Sequence, residues 1–198
     1  MNTFLRFIIT LALLFFGFGI TTSFAFSEED LLRLKNHNSC TGCDLRGANL
    51  NWQDLHGVNL ENADLRKTQF VAANLRDANL KGANLTEANL LSASLSGATV
   101  KGAIFRKANL RAAGMRSLDL RGIDFRGAVL VGTRLSNADL TGADLRKAWV
   151  YHGNLNETKL NGADLSTTKV WYYQIKKAIL CNTTSRFWGV INSGCVGM

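Results

Sequence analysis

The chain has 198 residues, a formal net charge of +8, 46% hydrophobic residues and no proline. This length fits one domain or two small ones, and the apolar fraction excludes an intrinsically disordered chain. The sequence contains a single long apolar stretch, near its start, which excludes a membrane protein with several spans.

The N-terminal segment, 1–25, has the features of an export signal. Arg6 precedes the apolar run 7–20, and Ser23 and Ala25 fit the −3 and −1 positions of a signal-peptidase site. We therefore expect cleavage after Ala25 and an exported protein, periplasmic or secreted. The alternative is an uncleaved anchor, because 7–26 is just long enough to cross a bilayer. Only in that case do we expect contact with a membrane.

The four cysteines form two pairs at opposite ends of the exported chain. Export favours disulfides, so we expect Cys40 to pair with Cys43 and Cys181 with Cys195. The alternatives for the first pair, a C-x-x-C motif, are a thiol-redox site or half of a zinc site. The second pair lies too far away to complete a zinc site, and the α/β pattern of a thioredoxin-like protein is absent. We expect a structural disulfide, and neither a metal nor a cofactor.

A five-residue period fills most of the chain. Every fifth position from Leu45 to Leu180 is apolar, and most of these central residues are leucine. Two positions before each of them, the residue is alanine in most units. Neither the 3.6-residue period of a helix nor the two-residue period of a strand gives this pattern. A coil in which each five-residue unit forms one side does give it.

The unit A-[DN]-L-x-x, as in Ala78-Asn79-Leu80, resembles the pentapeptide repeat family. The resemblance implies an all-β solenoid, a right-handed quadrilateral β-helix with four repeats per coil and inward-pointing leucine and alanine. The chain then forms about seven coils, with a length of roughly 34 Å. The absence of proline fits, because ladders between coils need backbone N–H groups. Leu118 and Ile123 replace the small residue, which predicts a wider coil there.

Both ends of such a stack need caps. Ser27 and the acidic residues after it predict a short N-terminal capping helix over 28–36, in which Leu31, Leu32 and Leu34 cover the first coil. The loop between Cys181 and Cys195 closes the other end. The expected organisation is a signal peptide at 1–25, an N-terminal cap with the C-x-x-C motif at 26–43, the β-helix at 44–180 and a C-terminal cap at 181–198.

One side of the expected coil has many outward apolar residues and no acidic residue. Positions four units apart in the sequence stack on the same side, so each side can be read directly from the sequence. Aromatic patches of this kind mark interfaces. The alternative is that the tail, 182–198, folds back over the patch. The candidate interface consists of Trp52, Val71, Leu91, Val129, Val131, Trp149, Tyr151, Trp171 and Tyr172.

Another side carries a column of arginines beside a column of aspartates. We favour an exposed ladder of ion pairs, each worth about 0–1 kcal/mol; the alternative is a strip that binds polyanions. The candidate anion-binding residues are Arg46, Arg66, Arg106, Arg126 and Arg146, and the acidic column is Asp44, Asp64, Asp124, Asp144 and Asp164. A third side has glycine at 82, 102, 122, 142 and 162, which predicts a repeated corner with positive φ.

No nucleophile motif, phosphate loop or dinucleotide fingerprint occurs in the sequence, so we expect no enzyme activity. The best-known activity in the pentapeptide repeat family is protection of DNA gyrase by imitation of DNA. That activity depends on an acidic surface in the cytoplasm, and the basic charge and export signal disfavour it here; we expect no DNA partner.

We expect instead an exported, non-enzymatic scaffold or interaction protein. Its aromatic side binds a second copy, forming a homodimer, or binds an envelope protein. The alternatives are a binder of anionic envelope components through the arginine column and a thiol-redox protein at the C-x-x-C motif.

Overall fold

The computed structural model describes residues 26–187, 189–193 and 195. The signal-peptide prediction at 1–25 lies outside them. Isolated parallel bridges join positions four units apart in the sequence, beginning with Ser39 and Asn59 and recurring with almost every unit as far as Lys159 and Ile179. Each turn of the coil therefore has four sides, with one five-residue unit on each side. In the described part of the chain, no helix has the length and apolar character needed to cross a membrane.

Most five-residue units end in a tight turn. The N–H of Ala48 donates to the carbonyl of Leu45 at 3.0 Å, and the same bond recurs along the coil. The third residue of this turn has positive φ, 69° at Gly47 and 61° at Lys67, as a type II turn requires. The predicted glycine column occupies such corners, with φ between 65° and 72°.

The preference for Asp or Asn before the central leucine has a local cause. The side-chain oxygen accepts the N–H of the residue two positions later, at 3.1 Å from Asn51 to Asn49 and at 3.0 Å from Arg126 to Asp124. This bond satisfies a donor at the corner that the ladder leaves unpaired. The repeat motif thus encodes its own turn.

The core is a continuous column of the central apolar residues, almost all of them buried with the alanines beside them. Near its middle, the rings of Phe105 and Phe125 stack with centroids 5.4 Å apart. Threonine is tolerated at the inward small position because its hydroxyl has a partner: Thr68 donates to the carbonyl of Leu45 at 2.6 Å.

The ladder between coils is interrupted where large residues replace alanine. Leu118 and Ile123 are both buried, and within residues 26–187 Thr99 and Asp119 form no bridge, although the bridges Asn79–Thr99 and Asp119–Asp139 are present on either side of this gap. Because two larger side chains enter the core there, the neighbouring coils lose hydrogen bonds at the position where the sequence predicts a wider coil.

Helix α1 (Glu28–His37) lies at the N-terminal end. Its N-cap, Ser27, accepts the N–H of Asp30 at 3.2 Å. Leu34 is buried and Leu31 packs against the core, but Leu32 is 54% exposed. The prediction that Leu32 covers the first coil is therefore wrong. Residues three apart share a helix face, whereas Leu32 is rotated about 100° from Leu31.

The C-terminal end departs from the regular coil. The elements there are strand β1 (Asp164–Leu165), helix α2 (Tyr172–Ile175), strand β2 (Thr183–Ser185) and strand β3 (Gly189–Ile191). Strand β2 pairs in parallel with β1 and antiparallel with β3.

The five-residue period continues through this end in the sequence, but the chain there forms helix α2 in place of a regular corner. Tyr173 occupies an inward small position by its spacing and is 56% exposed. A tyrosine is too large for a position where most other units have alanine, threonine or another small residue, so the backbone leaves the coil. The ladder is displaced locally as a result. The N–H of Glu157 donates to the carbonyl of Lys177. In the regular coil the equivalent bond runs from Glu87 to Arg106, and the same spacing from Glu157 would reach the residue before Lys177, so the ladder is shifted here by one residue.

Candidate interaction surface

On the aromatic side, which carries the candidate interface, the tryptophans of that interface are exposed and its other described side chains are half-buried. Trp52 is 76% exposed, Trp171 59% and Trp149 41%. The side chain of Tyr172 lies outside the described residues. The remaining members of the candidate interface, all half-buried, are Val71, Leu91, Val129, Val131 and Tyr151.

The structure does not bring these residues into one patch. Trp52 lies about five coils, or roughly 24 Å, from the level of Trp149, and the exposed Arg111 separates Leu91 from Val131 along the column. The aromatic residues near the C-terminal end do come together. There the ammonium group of Lys169 lies 4.2 Å from the ring centroid of Trp149.

A groove of about 580 Å³ lies beside this group, lined mainly by Tyr151, Val170, Trp171 and Phe187. Phe187 belongs to the tail, so the tail borders the lower end of the aromatic side. It does not cover that side within the described residues, because Trp149, Trp171 and Phe187 all stay exposed. Sequence reasoning missed Tyr173 as a surface residue; the signal was a tyrosine at a position normally held by alanine.

The arginine column is paired with the aspartates of the same side. Arg126 donates to Asp124 through Nε at 2.9 Å and Nη2 at 2.8 Å, and Arg126 also lies 3.4 Å from Asp144 in the next coil. Arg46, Arg66 and Arg146 bind the aspartate of their own unit in the same way, and Arg106 binds Asp124. The five candidate anion-binding residues are thus engaged in ion pairs, and the threonine at position 86 divides the column in two.

These ion pairs shift the protonation of the carboxylates. The hydrogen bond from the Arg126 guanidinium is the main cause of the strongly lowered pKa of Asp124, and Arg106 adds to it. The pKa values of Asp44, Asp64 and Asp144 are lowered by their own arginines. The ladder therefore stays ionised well below neutral pH.

Acid is expected to weaken the fold through this ladder. Since the pKa of Asp124 is lowered in the folded chain and about 3.9 in the unfolded chain, its stabilising contribution is complete above about pH 4 and declines as the pH falls further. Asp124→Asn should lower the free energy of unfolding at pH 7 by about 1 kcal/mol and reduce its decline between about pH 4 and pH 2.

Urea unfolding followed by circular dichroism at several pH values measures both effects. Asp54→Asn is the control, because within the described residues Asp54 forms no ion pair and its oxygen accepts from the amide of Asn74. Equal acid dependence in the two variants would contradict the role of the ladder.

A second groove of about 580 Å³ runs along the arginine side. It is lined by Arg106, Lys107, Gly127, Lys147 and their neighbours, and no described carboxylate lines it. Thr167 lines both this groove and the apolar one. A cationic groove and an apolar groove therefore adjoin near the C-terminal end.

Both cysteine pairs are disulfides, with S–S distances of 2.02 Å for Cys40–Cys43 and 2.07 Å for Cys181–Cys195. Cys40 and Cys43 are fully buried, and Arg33 of helix α1 donates to the sulfur of Cys43. Asp30, Cys40 and Cys43 bring potential metal ligands within 4.8 Å of one another. The two sulfurs are bonded to each other, so they do not offer the thiolates that zinc binds.

A stack of five-residue units around a buried leucine column defines a β-helical repeat protein. The model for pentapeptide repeats matches residues 39–70, 73–111 and 119–156, with 8 copies. The chain belongs to the pentapeptide repeat family, whose right-handed β-helix is the fold seen here. No curated protein matches the sequence.

Solved structures of the same family resemble this one. HetL from the cyanobacterium Nostoc sp. strain PCC 7120, a pentapeptide repeat protein involved in heterocyst differentiation regulation, is 28% identical with a TM-score of 0.61, and 68% of each chain is covered. Rfr23 from Cyanothece 51142 is 26% identical with a TM-score of 0.40, covering 71% of this chain and 93% of that one. QnrB1, a plasmid-mediated fluoroquinolone resistance protein, is 18% identical with a TM-score of 0.46, covering 75% and 88%.

Proposed function

We propose that this pentapeptide repeat protein is an exported, non-enzymatic scaffold that binds a second copy of itself or another envelope protein through the part of its aromatic side around Trp149. The observation that carries the proposal is the exposure of Trp149 on a side with no acidic residue. Elsewhere the outward positions of the coil are mostly polar, so selection for solubility alone does not explain a tryptophan there.

The surroundings of Trp149 resemble the centre of a protein interface. Its neighbour in the preceding coil is Val129, to which it is bridged, and Val131 and Tyr151 are half-buried beside them. Tryptophan and tyrosine are enriched among the residues that dominate binding energy at protein interfaces, where near-neutral contacts around them exclude water. A rigid β-helix also holds these side chains in place before binding, which lowers the entropy cost of association.

Trp149→Glu should separate the assembly that this side forms. Light scattering of the purified protein under oxidising conditions should give a dimer mass that falls to the monomer mass in the variant, because a carboxylate at the centre of an apolar contact is costly to bury. Trp52→Glu is the matched control, since Trp52 is exposed on the same side about five coils away, and it should leave the mass unchanged.

If the unchanged chain is a monomer, a photo-crosslinking residue at position 149 should capture one envelope protein in intact cells. If the unchanged chain forms no dimer and no protein is crosslinked at position 149, the proposal is wrong.

Binding of anionic envelope components is the second candidate. The cationic groove beside Gly127 favours it, although the arginines of the column are already paired. Polyanion binding should weaken sharply as ionic strength rises, whereas an aromatic contact should not. The redox hypothesis has no comparable support, because the Cys40–Cys43 disulfide is buried.

A further inference from the structure

We propose that the C-terminal end of the β-helix binds the surface of membranes rich in anionic phospholipid. The inference goes beyond the proposed scaffold function. Its surface, formed by the last coil and the tail, shares Trp171 with the aromatic side but does not include Trp149. Contact with a membrane was expected from the sequence only for an uncleaved N-terminal segment, and this proposal does not depend on that segment.

The C-terminal end carries positive charge and no carboxylate side chain. From Leu165 to Met198 the sequence contains no Asp or Glu, and its basic residues are Lys169, Lys176, Lys177 and Arg186. A middle segment, 88–118, also lacks Asp and Glu and carries five basic residues, but two of them, Arg106 and Lys107, pair with carboxylates outside that segment. The C-terminal end is therefore one of two such positive segments, and it is the one in which no described basic residue forms an ion pair.

The cations of this end are exposed and uncompensated. Lys176, Lys177 and Arg186 are all exposed, and within the described residues none of them pairs with a carboxylate. Just before this segment, by contrast, Lys159 lies 3.8 Å from Asp139. Unpaired surface lysines attract anionic lipid headgroups strongly, with an affinity gain of about fivefold for each residue.

Exposed aromatic side chains accompany these cations. Trp171 and Tyr173 project from the segment around helix α2, and Phe187 projects from the turn after strand β2, where it is 71% exposed. Trp171 and Phe187 line the same apolar groove, so the two segments lie together. Arg186 lies 5.8 Å from the ring centroid of Phe187, which places a cation directly beside an exposed ring.

This combination favours a lipid surface over other anionic partners. Tryptophan and tyrosine prefer the interface between headgroups and acyl chains, where the ring is buried and its polar atom stays hydrated. A soluble polyanion would use the lysines and leave the rings in water. A membrane surface binds both kinds of side chain, because the rings enter the headgroup region while the lysines contact phosphates.

The surface is also irregular, as a lipid partner allows. Its side chains come from two separate segments: 171–177, where the regular ladder of the coil is interrupted, and 186–187, which follow the last parallel strand pair. A protein partner needs a matching rigid shape, whereas a bilayer surface adapts to the side chains that enter it.

Vesicle sedimentation tests the proposal. The protein is used as purified, with the same N-terminus in every variant as checked by mass spectrometry. We expect binding to vesicles of equal parts phosphatidylglycerol and phosphatidylcholine, and at least about tenfold weaker binding to pure phosphatidylcholine. Lys176→Gln combined with Lys177→Gln should weaken the binding by about 30-fold, and Trp171→Ser by about tenfold.

Matched controls come from exposed residues elsewhere on the coil. Arg76→Gln combined with Lys101→Gln removes two exposed cations that form no ion pair in the described part of the chain, and Trp52→Ser removes an exposed tryptophan at the other end. Both should change binding by less than about twofold. Tyr173→Ser replaces Trp171→Ser if the latter is misfolded by circular dichroism.

Three results would overturn the proposal. The first is no binding of the unchanged chain to anionic vesicles. The second is an equal loss in the control variants. The third is a loss in the lysine variant with none in Trp171→Ser or Tyr173→Ser, together with equally tight binding of soluble polyphosphate, which would indicate a polyanion site. Self-association at Trp149 is measured separately without lipid, so failure of either proposal leaves the other standing.

Discussion

Replacing Phe105 with alanine is expected to lower the free energy of unfolding by about 3–5 kcal/mol. The ring is fully buried and stacks on Phe125 one coil later, with centroids 5.4 Å apart. The backbone around it is held by ladders to the coils on both sides, so the coil has little freedom to collapse around the cavity. The cost therefore lies toward the upper part of the range for large-to-small core substitutions.

Urea unfolding followed by circular dichroism measures this loss. Phe187→Ala is the control: Phe187 is exposed, and its replacement should change the free energy of unfolding by less than about 0.5 kcal/mol. A loss below about 1 kcal/mol for Phe105→Ala would show that the coil relaxes into the space, which would contradict a rigid stack.

The regular coil is the part of the fold that the sequence predicts best. The period of five admits few backbone geometries, and each position of the unit has a separate physical requirement. The central leucine fills the core, alanine leaves room beside it, and the Asp or Asn oxygen satisfies a corner N–H, as in Asn49 and Asn51. Because every requirement is local or repeats after one full turn of the coil, it is visible in the sequence.

The C-terminal end was less predictable because its requirements are not local. The period continues to Leu180, yet Tyr173 is too large to point inward, and the chain forms helix α2 in that place. Whether a residue too large for the inward position is buried or exposed depends on the coils around it. Leu118 is buried, and the ladder loses hydrogen bonds there. Tyr173 lies in the last coil, which has no complete coil beyond it to keep the side chain inside.

The candidate surfaces likewise include one feature that the local sequence predicts and one that it does not. The pairing of arginine with aspartate was predicted, because Asp124 and Arg126 lie in one unit and face the same side. The apolar groove was not, since it joins Tyr151, Trp171 and Phe187 from two coils and the tail. Only the three-dimensional path of the tail brings these side chains together.

Removing the C-terminal disulfide should destabilise the last coil selectively. The bond joins Cys181 to Cys195 at a sequence separation of 14, and a loop of this size is worth about 3 kcal/mol in the chain-entropy model. In a repeat protein each coil is stabilised mainly by its neighbours. The last coil has a neighbour on one side only and depends on strands β2 and β3 for the other.

The variant Cys181→Ser with Cys195→Ser is therefore expected to open locally before the whole chain unfolds. Hydrogen exchange measures the difference amide by amide. The N–H of Thr184, bonded to Ala163 at 3.0 Å, should lose about 100-fold in protection, while that of Asn89, bonded to Thr68 at 2.9 Å in the middle of the coil, should be unchanged. An equal loss at both amides would mean that the shaft unfolds as one unit and that its end is no weaker than its centre.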